Sequence, residues 1–237
     1  MKIFDAPVRA RGLSWVPLAQ FVTWGAMTWV AGRRTPARRL SEKVGVGAGS
    51  MAVLLGSEWC HNLAHAAVAS HLGKPVDSIR ILLGMPRLIY NDLHDPRVTP
   101  REHIVRALGG PLINALLLPV AVLFRRKTLP GSAAREVADI AVGTNAFLCT
   151  GSLLPIPWID GGPILKWALV ESGRSVRDAD ETVRKANGAL AAGLGVAAVV
   201  AHKKRRRLLP GIMALFSVTA FAVAAGVLKE SELPWSD

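Results

Sequence analysis

Charge-free apolar runs organise this chain. Leu13 to Gly32 carries no Asp, Glu, Lys or Arg, and neither do Ala107 to Phe124, Ile140 to Ile159, Ala186 to Ala201 and Leu208 to Leu228. Val44 to Gly73 carries only Glu58 and three histidines. A bilayer core takes roughly 20 mostly apolar residues per helix, so the pattern predicts about six transmembrane helices, the fifth being the shortest. Between the second and third runs, Lys74 to Arg106 changes character. Pro75 to Gly84 reads as a short strand-like stretch, and Pro86, Pro96 and Pro100 punctuate turn-rich sequence after it. The expected fold is an all-α polytopic membrane bundle with a small β-like segment at the membrane surface. The whole of residues 1–237 is expected to form a single membrane domain, with no separate soluble domain.

Composition sharpens this only where it is placed. The 237 residues are 51% hydrophobic, which soluble domains also reach; the long runs decide the class. The formal net charge of +12 would fit nucleic acid or anionic lipid. Much of it flanks the apolar runs, as Arg33, Arg34, Arg38, Arg39 and Lys43, then Arg125, Arg126 and Lys127, then Lys203 to Arg207. Charge at helix ends is topological, so the lipid bilayer and not nucleic acid is the expected partner.

The basic turns after spans one, three and five favour a cytoplasmic position for those turns, with both termini outside. The acidic tail residues Glu230, Glu232 and Asp237 are compatible with that. Lys74, Arg80, Arg87, Arg97, Arg101 and Arg106 on the opposite loops divide the count. Leu13 to Gly32 reads as a retained first helix, because it is long for a cleaved signal and Arg33 and Arg34 follow at once. Cys60 and Cys149 both lie inside predicted spans and make neither a disulfide framework nor a thiolate cluster. Ala189, Gly193 and Ala197 form a small-residue stripe suited to helix packing. Trp158 and Trp167 are placed as interfacial aromatics.

Ionisable groups inside a bilayer are costly, which makes them functional candidates. Residues four apart share a helix face, so His61 and His65 can point two imidazoles at one cation, the spacing of H-x-x-x-H zinc sites. Glu58 and Asn62 fall on nearly the same face. The same residues also suit hydrogen bonds between helices. His71 lies near the span end, and His94, His103 and His202 lie in or beside loops. In the fourth span Pro155 and Pro157 break the helix shortly before Asp160-Gly161-Gly162. Irregular backbone at membrane depth is tolerated where it lines a cavity. Asp160 can supply a third ligand there, or cap the helix that follows.

Three motifs now stand in order: His61-x-x-x-His65, then Ala107-Leu-Gly-Gly-Pro-Leu-Ile-Asn114, then Leu153-Leu-Pro-Ile-Pro-Trp-Ile-Asp160-Gly-Gly, with Thr99-Pro100-Arg101-Glu102 before the second. Together they resemble the site-2 protease family of intramembrane zinc metallopeptidases, over roughly Gly56 to Trp167. The resemblance implies a core spanning residues 56–167 and one zinc ion held by His61, His65 and Asp160. It implies a transmembrane segment of another membrane protein as substrate, and a multi-pass position in a bacterial or archaeal cell membrane. It also places the metal and the Lys74–Arg106 region toward the cytoplasm, against the charge reading.

Two positions depart from the family pattern. The glutamate that serves as general base is Asn62 here, and the helper asparagine eight residues before the ligand aspartate is Ser152. An asparagine side chain cannot take up and return a proton, and a positioned base is worth roughly 10²–10⁴ in rate. The expected function is therefore a zinc-binding homologue with little or no proteolysis, gripping a transmembrane substrate or partner. One alternative is an active protease that uses Glu58 as a substitute base. Another is a transporter- or channel-like bundle whose polar stripe lines a pathway.

Overall fold

The computed structural model describes residues 1–92, 94–204 and 209–228. The acidic tail and most of the Lys203–Arg207 cluster lie outside them. The chain is mostly helical with one small sheet, and it divides into two compact units. The first holds Met1–Asp95 and Leu108–Ser152; the second holds Pro96–Ala107 and Leu153–Asp237.

In the first unit, strands β1 (Lys2–Ile3) and β2 (Ala6–Arg9) precede helices α1 (Leu18–Arg34) and α2 (Leu40–His71). Strands β3 (Ser78–Leu82) and β4 (Met85–Ile89) follow, then α3 (Pro100–Lys127), whose first two turns belong to the second unit, and α4 (Ala133–Thr150). The β-like segment expected between the second and third spans is the pair β3–β4, antiparallel with Leu82 opposite Met85, and Pro86, read as part of a turn, lies within β4. Its two connecting residues, Leu83 and Gly84, both have positive φ, 53° and 83°. That is the backbone of a type I′ turn, whose twist matches the strands it joins. Strand β2 adds to β3 in parallel, giving the order β1-β2-β3-β4. The N-terminal strands have no sequence signal of their own length, since two to four residues cannot show a period.

The sheet is anchored on α2. Ala66 and Ala69 on the last turns of that helix pack with Ala6, Val76 and Ile79, all buried. Helix α1 lies against α2 so closely that a methyl group at Gly47 would meet the Thr28 backbone at 2.8 Å. Helix α4 begins at Ser132, whose hydroxyl accepts from the Arg135 amide, and it packs on α2 through Val137 against Gly49. Helix α2 is thus held along its length, by α1 and α4 near Gly47 and Gly49 and by the sheet at Ala66 and Ala69, beside His65.

The second unit holds α5 (Gly161–Glu171), α6 (Val176–Lys203) and α7 (Leu209–Ala224). Lys166 on α5 is buried and pairs with Asp180 on α6 at 2.8 Å. The α6–α7 contact uses small residues, but a different stripe from the expected one. Gly188 meets Ala224, Gly195 meets Ser217, and Ser217 donates to the Ala191 carbonyl at 2.7 Å. Ala189 and Gly193 are exposed, and a methyl at Gly193 would touch nothing within 4 Å. Spacing alone could not say which of two adjacent small stripes faces the partner helix. Trp167 also differs from expectation: it is buried and stacks on His103, with ring centroids 3.9 Å apart and planes 3° from parallel.

Among the described residues, two helices are long and apolar enough to cross a membrane, Pro100–Lys127 and Val176–Lys203; Leu209–Ala224 is shorter and apolar. The fourth predicted span stops being helical at Thr150, and a 3₁₀ turn and an irregular stretch lead on to α5. Pro155 and Pro157 sit in that stretch, as their missing donors require.

Candidate metal centre

His61 and His65 are one turn apart on α2, and each is 8% exposed. Their rings meet edge to face with centroids 4.8 Å apart, and the two Nε2 atoms are 3.2 Å apart. Two nitrogens bound at roughly 2.0–2.1 Å to a tetrahedral ion stand about 3.3 Å apart. The pair is therefore already spaced as ligands of one small cation.

The orientation of His61 is set by a directed chain of hydrogen bonds. The Asn145 amide nitrogen on α4 donates to the Ala141 carbonyl at 2.9 Å and to the Ser57 hydroxyl at 3.1 Å. A carbonyl can only accept, so this fixes which end of the Asn145 amide is nitrogen. Asn145 Oδ1 then accepts from Asn114 Nδ2 at 2.9 Å, which turns Asn114 Oδ1 toward His61 Nδ1 at 2.7 Å. Asn114 Oδ1 needs a donor, so His61 carries its proton on Nδ1 and offers the Nε2 lone pair to a metal. Asn114 is fully buried, Asn145 is 4% exposed, and neither was assigned a role from sequence. The available signal was each Asn's position in a charge-free apolar run, where a polar side chain must find partners inside the protein.

The second histidine meets the backbone of α3. The Gly110 amide donates to His65 Nδ1 at 3.3 Å. A neutral His65 in this arrangement carries its proton on Nε2, so binding a metal there requires the proton to move to Nδ1 and the Gly110 contact to adjust. A methyl group at Gly110 would stand 2.5 Å from His61 Nε2 and Cε1 and closer still to His65 Nε2. The Gly109-Gly110 pair is what lets α3 lie directly against the imidazoles.

Asn62 and Ser152 are both turned to their own helices. Asn62 Nδ2 donates to the Glu58 carbonyl at 2.9 Å, and Ser152 Oγ donates to the Leu148 carbonyl at 2.7 Å. The Glu58 carboxylate is partly exposed and makes no hydrogen bond or ion pair among the described residues.

In the second unit, Asp160 stands at the N-cap position of α5, yet its side chain accepts no capping bond from the first turn. The reading of Asp160 as a simple helix cap does not match this. Gly161 and Gly162 press that turn against the break: a methyl at the first would strike the Leu153 and Leu154 carbonyls, and at the second the Ile156 carbonyl. Asn187 of α6, fully buried, donates to the Pro155 carbonyl at 2.5 Å and to the Val183 carbonyl at 2.9 Å. The irregular stretch ahead of Asp160 is thus held from inside its own unit. His61 and His65 in the first unit and Asp160 in the second each carry an atom of a type that binds metal ions.

The hydrogen-bond chain makes a prediction. Asn145→Leu leaves Asn114 without its orienting partner and should weaken metal binding about 10–100-fold, the usual cost of losing an outer support. Asn145→Ser, which can still accept from Asn114, should recover part of the loss. Metal titration of the purified variants reads both. Unchanged affinity in Asn145→Leu would remove the chain's orienting role.

No protein-family model matches the chain. A curated protein of Methanocaldococcus jannaschii, described as a "Putative zinc metalloprotease", is 37% identical over 79 residues, or 33% of this chain. The chain spans about two fifths of that relative's length, 39%. Among solved structures, the Site-2 Protease from Methanocaldococcus jannaschii has a similar fold, with a TM-score of 0.55 at 16% identity, over 98% of this chain and 94% of that one.

Proposed function

We propose that this chain, a relative of site-2 proteases in fold and of a zinc metalloprotease in sequence, is a multi-pass membrane protein that holds one zinc ion and binds a transmembrane segment while cutting it weakly or not at all. His61 and His65 supply two nitrogens already at ligand spacing, and Asp160 supplies the carboxylate. Zinc in such a set supplies Lewis acidity toward a carbonyl and acidifies a water ligand. The chain's own residues do the rest. Asn114 and Asn145 orient His61, Gly110 admits the α3 backbone, and Asn187 steadies the stretch before Asp160.

The observation that carries the weakened activity is Asn62. It occupies the place of the proton-transferring glutamate, it has no titratable group, and its amide nitrogen is committed to the Glu58 carbonyl. Six membrane spans accord with the apolar runs, of which Pro100–Lys127 and Val176–Lys203 are the strongest cases. The test is a membrane-embedded reporter given to the native protein and to Asn62→Glu. Binding without zinc-dependent cleavage in the first, and cleavage in the second, is the expected outcome.

A second reading keeps proteolysis and assigns the base to Glu58. It is favoured by that carboxylate's having no hydrogen bond or ion pair among the described residues, one turn ahead of His61. Native cleavage that disappears in Glu58→Gln would select it.

A further inference from the structure

Two of the basic loops flagged in the sequence are a single surface in the first unit. Arg38, from the loop between α1 and α2, donates to Glu136 on α4 at 2.5 Å and to the Gly131 carbonyl in the loop between α3 and α4 at 3.1 Å. Both members of the ion pair are mostly buried, with side chains 10% and 11% exposed. A shielded pair is screened by salt far less than a surface pair. The join therefore behaves as a fixed part of the fold.

The remaining cations divide by what they touch. Arg135 donates to the carbonyls of Arg125 and Thr128, closing the end of α3. Arg125 and Arg135 both reach Asp139, whose carboxyl the Arg125 hydrogen bond holds below its ordinary range. Lys43 is committed to the Pro36 carbonyl at 2.8 Å. Arg34 is half exposed and only 3.9 Å from Glu136. Arg33, Arg39, Arg126 and Lys127 are exposed and have no acidic partner among the described residues. Trp29 lies under the Arg33 guanidinium at 5.9 Å and is itself 68% exposed. An exposed indole beside free cations, at the ends of apolar helices, is the arrangement of a membrane headgroup zone.

We propose that these two loops, locked together by Arg38 and Glu136, form one preassembled docking face for the headgroups of anionic phospholipids. The proposal rests on the membrane reading of the chain and is independent of zinc and of proteolysis. Acidic headgroups fit the face because each phosphate can accept from a guanidinium, while the Trp29 ring occupies the glycerol level beside it. Each exposed cation near an anionic surface is worth about fivefold in binding. Locking two loops into one face lets them act on the same patch of lipid.

Native mass spectrometry of the full chain in detergent, with phosphatidylglycerol or phosphatidylcholine added at equal concentration, tests it. The native protein should retain phosphatidylglycerol preferentially. Neutralising Arg33, Arg39, Arg126 and Lys127 to Gln should lower that preference at least about tenfold. The sharper variant is Glu136→Gln. It makes the protein more positive, so simple charge counting expects tighter binding, whereas a face that depends on the Arg38–Glu136 lock should bind phosphatidylglycerol less well. The folding of this variant is checked by its helix content and melting in detergent alone. If it is misfolded, Arg38→Lys, which keeps the charge and loses the fork, replaces it. Equal retention of the two lipids would overturn the proposal. So would preference unchanged or raised in a folded Glu136→Gln, or capture of inorganic phosphate or a short DNA duplex in place of the lipid.

Discussion

Replacing Asn62 by glutamate should raise cleavage of a membrane-embedded reporter about 10²–10⁴-fold over the native protein, the span that a positioned general base usually contributes. The supports for such a base are already present. His61 and His65 have their Nε2 atoms 3.2 Å apart, and the Asn145–Asn114 chain fixes the tautomer of His61. Asn62 is partly exposed and lies on the helix turn between the two histidines, so a longer side chain has room to leave the Glu58 carbonyl. A carboxylate there can accept a proton and return it to a leaving amine, which a carboxamide cannot. Because Ser152 still lacks the amide of the family's helper position, the gain should sit nearer the lower end of the range and grow in Asn62→Glu, Ser152→Asn. No gain in a variant that still binds zinc would contradict the proposed role of Asn62 in limiting cleavage.

The second large effect is expected at Gly110. Alanine in place of a helical glycine ordinarily stabilises by about 0.5–1 kcal/mol. At Gly193, where a methyl meets nothing within 4 Å, that sign should hold. At Gly110 the same methyl collides with both imidazoles, so the sign should reverse. Overpacking of this kind costs roughly 1–3 kcal/mol, and pushing either ring aside should weaken zinc binding by at least about tenfold. Melting curves and zinc titrations of Gly110→Ala beside Gly193→Ala read both quantities. If the two variants behave alike, α3 does not press on the histidines as described.

What the sequence disclosed follows physical range. The His61–His65 spacing is a property of a single helix turn, so it could be read from the chain directly. The β3–β4 pair announced itself because five-residue strands joined by a tight turn are local. The break before Asp160 was marked by Pro155 and Pro157, since proline acts on its own backbone. Features that depend on three-dimensional neighbours were not legible. Asn114 and Asn145 are 31 residues apart in a hydrogen bond that no periodicity encodes. Asn187 reaches 32 residues back to the Pro155 carbonyl. The packing stripe of α6 runs through Gly188, Ala191 and Gly195 in place of Ala189, Gly193 and Ala197, because alanine and glycine crowd that helix on every side. Trp167 looked interfacial by its place at a span end, and only its stack with His103 shows it to be core.

The most direct measurement is zinc per chain. The native protein and a His61→Ala, Asp160→Ala double variant are purified in detergent and their metal content quantified, with no substrate needed. The account predicts about one zinc in the native protein and none in the variant. Zinc absent from both, or equal in both, would contradict it.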